Sequence, residues 1–476
     1  MVRPTTRDFR LVWGRGLSCF ALTFGIANGA ATTALALQEE PAQPAETQAA
    51  AELQAETLID VLRRAFQSNP TIQAERARQR ATKQLKPQAW SGALPQITAS
   101  GAYTDVDQDQ VINATTFDPN LPVDTPNETR NFQLETLSAQ VQGELAIFTG
   151  LRNFNAIKQA DARVRAGGAQ LVSVEQSVLT NAATAYFDVV RDKEVVDANE
   201  NNVRVLLRQK EEADLRFEVG EITRTDVAQA EARLAGARAR LTSAKAQLAI
   251  SRARFRELTG DNPGTLQEDP SLPVSPETIM SAVDIAKVYS PDVIAARANE
   301  EASRREIAIA KSAFSPQVSL TANYQYAEEP SSFVLEDEQF AYGVRATMPI
   351  FQGGLNISRV REARALNDAD ERRIVEAERR ATAAVTASWE QLQAAQSNIV
   401  SAQSQLEANE LALRGVRREA QLGARTTLDV LNAEQEFVNS VVDLASAERD
   451  ARVALFELLA NAGVLTLESL ETAGGA

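Results

Sequence analysis

The sequence contains no histidine, only one cysteine and few aromatic residues, 5% of 476. Without histidine, the commonest general base and metal ligand is missing, so catalysis would have to rest on carboxylates, Lys, Ser or Tyr. No constellation of those residues suggests an active site, and no enzyme activity, metal or cofactor is expected. The low aromatic content suits long helices with thin interfaces better than one large globular core. The only cysteine, Cys19, lies near the start, inside a segment with the features of an export signal. Arg3, Arg7, Arg10 and Arg15 precede an apolar stretch, and Ala34-Leu35-Ala36 offers a small-x-small cleavage site, so residues 1–36 read as a signal peptide. Gly16-Leu17-Ser18 before Cys19 does not fit a lipoprotein signal. Removal of this segment takes the net charge from −15 to about −18 and leaves no cysteine for disulfides. So acidic a chain argues against a nucleic-acid partner. No uninterrupted apolar run of 18 or more residues remains, so no transmembrane helix is expected.

What is present is a repeat of about 110 residues. A shift of 203 positions carries Phe148 onto Phe351, Gly150 onto Gly353, Tyr186 onto Trp389, Gly220 onto Gly423 and Gly260 onto Gly463, without a gap. Both copies lack proline. Leu392, Ile399, Leu406 and Leu413 recur every seven residues, as do Val189, Val196 and Val203 in the first copy. Leu234, Leu241, Leu248 and Phe255 form another such series, answered by Phe437, Leu444, Ala451 and Leu458. These are coiled-coil seams. Val219-Gly220-Glu221 and Leu422-Gly423-Ala424 predict helix stops, after which Thr223 and Thr426 cap a returning helix with Asp226 and Asp429 in its first turn. Each copy is thus a helical hairpin with a first arm of roughly 100 Å and a return arm of about half that.

A second shift, of 221, relates Asn69-Pro70 to Ser290-Pro291 and Pro95-Gln96-Ile97 to Pro316-Gln317-Val318. The helix from Thr71 to about Trp90, and its counterpart, would supply the missing half of each short arm. The chain therefore divides into the signal (1–36), a flexible Pro/Ala/Gln/Glu-rich segment (37–56), a first repeat (57–260), a linker (261–276), a second repeat (277–463) and a tail (464–476). Linker and tail are expected to pack together at mid-height.

Between the helices the period changes to two. Val318, Leu320, Ala322, Tyr324 and Tyr326 alternate with polar residues, as do Phe340, Tyr342, Val344, Ala346, Met348 and Ile350. The first repeat shows Ile97, Ala99, Gly101 and Tyr103, then Leu137, Ala139, Val141, Gly143, Leu145 and Ile147. These read as two hairpins, about 95–148 and 316–351, of strands of about ten residues, the length that crosses an outer membrane at a tilt. Four strands cannot close a barrel, and open edges are not tolerated in lipid. Two chains would supply eight strands and three would supply twelve; the long helices below favour the wider barrel. The polar stretch Thr104–Arg130 is expected as an external loop. Within it, Asp105-Val106-Asp107-Gln108-Asp109 starts like a calcium loop, but Gln110 and Thr116 stand where Gly and Glu are needed, so an exposed acidic loop is the reading.

Asn69-Pro70, Pro95-Gln96-Ile97, Phe351-Gln352-Gly353-Gly354-Leu355-Asn356 and the turns Val219–Val227 and Leu422–Val430, in order and duplicated, resemble the TolC-type outer-membrane factor family over nearly the whole mature chain. The resemblance implies a mainly α fold with membrane β: a coiled-coil helical barrel continuous with a twelve-stranded transmembrane β-barrel shared by a homotrimer. It implies an outer-membrane exit duct for efflux or type I secretion in a Gram-negative bacterium, with its tunnel in the periplasm. A periplasmic adaptor would dock on the turns (Val219, Gly220, Glu221, Thr223 and Asp226; Leu422, Gly423, Ala424, Thr426 and Asp429), with an inner-membrane transporter of RND or ABC type beyond. The turns, farthest from the barrel, would hold the gate. At matched positions there the charges invert: Glu211 against Arg414, Asp214 against Arg417, Arg216 against Glu419. If the two hairpins alternate around a ring, these pairs would hold the tip closed. Some relatives narrow this end with carboxylate rings; here Glu410 is the candidate carboxylate. The rival reading is a periplasmic coiled-coil adaptor or scaffold, which accounts for the heptads but not for the strands that lead into them.

Overall fold

The computed structural model describes residues 55–112, 128–331 and 333–474. The export segment, nearly all of the Pro/Ala-rich stretch and most of the loop after the first strand therefore lie outside the described residues. The first repeat contains α1 (Leu58–Ser68), α2 (Pro70–Lys83), α3 (Leu85–Ser91), β1 (Gln96–Ile112), β2 (Glu128–Phe148), α4 (Arg152–Glu218) and α5 (Arg224–Thr259). The second contains α6 (Ile279–Tyr289), α7 (Pro291–Ser312), β3 (Gln317–Ser331), β4 (Val334–Thr347), α8 (Leu355–Gln421) and α9 (Thr427–Asn461), followed by α10 (Leu467–Gly474). Both long arms have 67 residues, as the gapless repeat requires, and each spans about 100 Å at 1.5 Å per residue.

The short arms are completed end to end. Asn69 caps α2, accepting from the Thr71 N–H, and its amide donates to the Leu258 carbonyl at the end of α5, 3.1 Å away. Ser68 donates to the Thr259 carbonyl beside it. The expected single helix to Trp90 is broken at Gln84, where α2 gives way to α3. Pro87 explains the break: it lacks an N–H, and its ring crowds the carbonyl four residues earlier. The matched position in α7 is Ala308, and α7 runs unbroken for 22 residues. Side by side, α4 packs against α2, α5, α7 and α9, while α8 packs against α7 and α9. With α4 in the middle and α8 at an edge, apolar burial falls mainly on α4.

The main core lies midway along α4. Tyr186, Phe187, Phe255 and Phe456 are fully buried, with Tyr186 and Phe187 rings 5.4 Å apart and edge-on. A fully buried side chain of this size is worth about 1.5–3 kcal/mol. Leu58 and Leu62 of α1, Leu266 of the linker, and Leu465 and Leu470 near the C terminus join the same cluster. Linker and tail are thus held together at this level. The Tyr186 hydroxyl donates to the Gln267 carbonyl at 2.7 Å, beside a parallel bridge between Glu56 and Leu266. Burial pushes this phenol up to about 12, so it remains a donor.

The four strands form one antiparallel sheet in the order β1-β2-β3-β4. They have 17, 21, 15 and 14 residues, longer than the ten expected. The stretch expected as loop from Thr104 is strand as far as Ile112. Polar residues continue the ladder there because their partners on β2 are polar too: the Asn131 amide donates to Asp107 at 2.8 Å and to Asp109 at 2.9 Å.

Candidate functional site

The strand register places most of the expected apolar positions of the four strands on one face. A bulge between Ala146 and Phe148 sets Phe148 rather than Ile147 opposite Val318, and Met348 and Ile350 lie beyond the end of β4 at Thr347. Ile97, Gly143, Ala322 and Tyr342 are opposite one another in sequence across the sheet, and so are Ala99, Val141, Tyr324 and Phe340. Between these rows the other face carries Thr98, Gln142, Asn323 and Ala341, and next to it Ser100, Gln140, Gln325 and Gln339. Ile97, Phe340, Tyr342 and Val344 are each more than 60% exposed, so this is an apolar surface left uncovered by the described residues. From Val318 to Tyr326 it extends about 27 Å along the strand at 3.4 Å per residue. A band of that height above a polar face is the pattern of a lipid-facing β-barrel wall. The outer edges of β1 and β4 have no partner strand among the described residues.

At the far end of the long arms, two turns of the same geometry reverse the chain. Gly220 and Gly423 both have φ +79°, the left-handed conformation in which a Cβ is strained. Glu221 N–H bonds the Arg216 carbonyl and Gly220 N–H that of Phe217, which is a Schellman stop; Ala424 and Gly423 repeat it on Glu419 and Ala420. The returning helices start in reciprocal caps. Thr223 and Asp226 each accept from the other's backbone N–H, as do Thr426 and Asp429. Those hydrogen bonds hold both carboxyls below the usual aspartate range. The caps present Val219 and Leu422 at the extreme tip, 72% and 78% exposed.

The structure does not bring the inverted charges together within one chain, because α9 lies between α4 and α8. All but Glu211 bond locally instead. Asp214 accepts from Lys210 at 2.6 Å, Arg216 donates to Glu221 at 3.0 Å, and Arg414 pairs with Glu410 at 3.5 Å. Glu419 accepts from Arg425 at 2.8 Å, and Glu211 is exposed. Arg417 turns to Glu434 on α9, with its Nε 2.9 Å from the carboxylate. Glu434 is a site that sequence reasoning missed. Only 3% exposed, it lies beside a small cluster of Leu206, Leu234, Ala237 and Leu431, and Gln209 of α4 approaches it at 3.5 Å. Its signal was available: a carboxylate between Leu431 and Val438 on the buried stripe of α9 needs a cation. Through it the tip of α8 is tied to α9, and α9 to α4. Among the described residues no cluster suits a metal ion.

With this geometry in hand, comparisons with known proteins agree. The model of the outer membrane efflux protein family matches residues 61–261 and 282–464. The outer membrane efflux protein BepC of Brucella suis biovar 1 is 28% identical over 416 residues, 87% of either chain. The outer membrane protein TolC of Vibrio cholerae is 25% identical over 434 residues, 87% of this chain and 92% of that one. Among solved structures, the outer membrane protein VceC of Vibrio cholerae superposes with a TM-score of 0.69 at 20% identity, over 85% of this chain and 96% of its own. Two duplicated helical hairpins, an apolar-faced sheet and a family match over both repeats lead to one conclusion: the chain belongs to the outer membrane efflux protein family.

Proposed function

We propose that three copies of this chain share a twelve-stranded barrel in the outer membrane, continued by a tunnel of helices in the periplasm. The observation that carries this is the apolar face of a four-stranded sheet whose two edges lack partners among the described residues. Open edges in lipid are too costly to leave unpaired, and β1 of one copy against β4 of the next closes the ring. The same join places α8 of one copy beside α2, α3 and α5 of its neighbour, giving the exposed side of α8 a cover.

The duct performs no chemistry of its own in this reading. It is a passive conduit for efflux or secretion, driven by an inner-membrane transporter through a periplasmic adaptor. The paired turns, with exposed Val219 and Leu422 over rigid caps, are the docking points for that adaptor. An adaptor that binds the open tip more tightly than the closed one shifts the equilibrium by that difference alone. The Arg417–Glu434 pair is the gate contact within a chain, while Glu211, Asp214 and Arg216 against Arg414 and Glu419 can act only between copies. Exposed pairs contribute about 0–1 kcal/mol each, so the half-buried pair to Glu434 is the stronger restraint.

The test is electrical. Purified protein added to planar bilayers is expected to give discrete conductance steps, and Arg417→Asp, which sets a second carboxylate against Glu434, to give larger ones. Bilayers that stay silent would favour the scaffold reading.

A further inference from the structure

Directly beneath the sheet, α4, α7 and α8 enclose a groove of about 1200 Å³, somewhat more than the roughly 300–1000 Å³ of a typical small-molecule site. Its floor is one face of α7, where Ala302, Ile309, Ala310 and Ala313 are accompanied by Ser303 and Glu306. The register of the walls is fixed by hydrogen bonds. Gln159 of α4 donates to the Ala302 carbonyl at 3.3 Å, and Asn356 of α8 donates to the Ala313 carbonyl at 3.3 Å. Arg152 lies two turns above Gln159 on one wall, and Arg359 lies one turn below Asn356 on the other. Both arginines therefore lie at the barrel end of the floor, on opposite sides of it, and both line the groove.

The charges around them are not equivalent. Glu306 takes the Gln159 amide at 2.6 Å, Asp370 takes Arg373 and Glu376 takes Arg380, each at 2.5 Å. Arg152 and Arg359 have no ion pair among the described residues. Glu362, one turn below Arg359, also lines the groove. Gln317 also lines the groove, and it belongs to the polar face of the sheet. The groove thus opens on the side that, on the reading proposed above, is the interior of the duct.

We propose that this groove is a binding site for amphipathic monoanions, an aryl or alkyl carboxylate or sulfonate with its head between Arg152 and Arg359 and its body on the alanine floor of α7. The head gains charge-assisted hydrogen bonds from two guanidinium groups, and the body covers small side chains that leave it space. Three such sites would ring the duct just below the barrel, so the conduit would hold this class of cargo briefly rather than pass all solutes alike.

Calorimetry on the full protein held in amphipol tests it, with naphthalene-2-sulfonate as probe and neutral 2-naphthalenemethanol as its control. The sulfonate is expected to bind at least tenfold more tightly than the alcohol. The double variant Arg152→Gln/Arg359→Gln is expected to weaken the sulfonate at least tenfold and leave the alcohol unchanged, since a hydrogen bond to a charged group is lost on each wall. Unchanged native mass and circular dichroism show that the variant folds. Equal affinity for both probes, or a variant that binds sulfonate like the parent, overturns the site. Protein that conducts normally in bilayers but binds no sulfonate overturns this proposal alone and leaves the duct standing; protein that binds sulfonate with arginine dependence but does not conduct upholds the site and overturns the duct.

Discussion

Gly463→Ala is expected to destabilise the protein by about 2–5 kcal/mol, whereas the same change at its repeat partner, Gly260, costs only about 1–2 kcal/mol. Both glycines have positive φ, +80° and +85°, so both substitutions carry the left-handed strain of an L residue. They differ in what surrounds them. A Cβ on Gly260 meets nothing within 4 Å, but one on Gly463 would lie 2.5 Å from the Tyr289 carbonyl carbon and 2.7 Å from the Ser290 nitrogen. Backbone cannot move aside as a side-chain end can. Gly463 is where the end of α9 abuts the start of α7, the junction that completes the second short arm. Thermal unfolding of the purified variants in detergent reads the difference directly. Similar shifts for the two would mean that this junction is looser than described.

The second large effect is expected on the sheet, where adjacent residues on β4 have opposite fates. Tyr342→Arg places a guanidinium in the middle row of the apolar face, beside Ala322, at a cost of about 2–4 kcal/mol per chain at the bilayer midplane. Ala341→Arg, one residue away, points to the polar face beside Asn323 and is expected to be close to neutral. Outer-membrane yield of the folded protein is the readout. Equal yields for the two would contradict a lipid-facing assignment, because a soluble sheet with both faces wet accepts arginine on either.

Much of this architecture was legible because its determinants are local. The shift of 203 fixes equal long arms, and Thr223 with Asp226 and Thr426 with Asp429 announce their own caps, since each partner lies three residues from the other. Alternation in 318–326 and 340–346 identifies both strand faces, although Met348 and Ile350, expected to continue it, lie past the end of β4. What was not legible depends on partners distant in sequence. Asp105, Asp107 and Asp109 read as loop when taken alone and become strand only because β2 lies alongside with Asn131. Tyr186 reads as one more aromatic on a heptad helix; its role as a donor to the Gln267 carbonyl needs the linker to return to that level. The tip charges lie apart within one chain, because a return helix stands between matching positions of the repeat. Asp214, Arg216, Arg414, Arg417 and Glu419 pair within their own hairpin or on the next helix, which leaves pairing between copies as the proposal. Pro87 was visible all along, and its effect on the helix around Gln84 follows from one missing N–H.

The central claim is that a chain with two open sheet edges closes its barrel with copies of itself. The most direct measurement is the native mass of the protein extracted in detergent from the outer-membrane fraction, before and after boiling. A mass close to three chains that falls to one on heating is the result expected. A soluble monomer, or a protein recovered from the periplasmic fraction, would contradict the shared barrel and with it the duct.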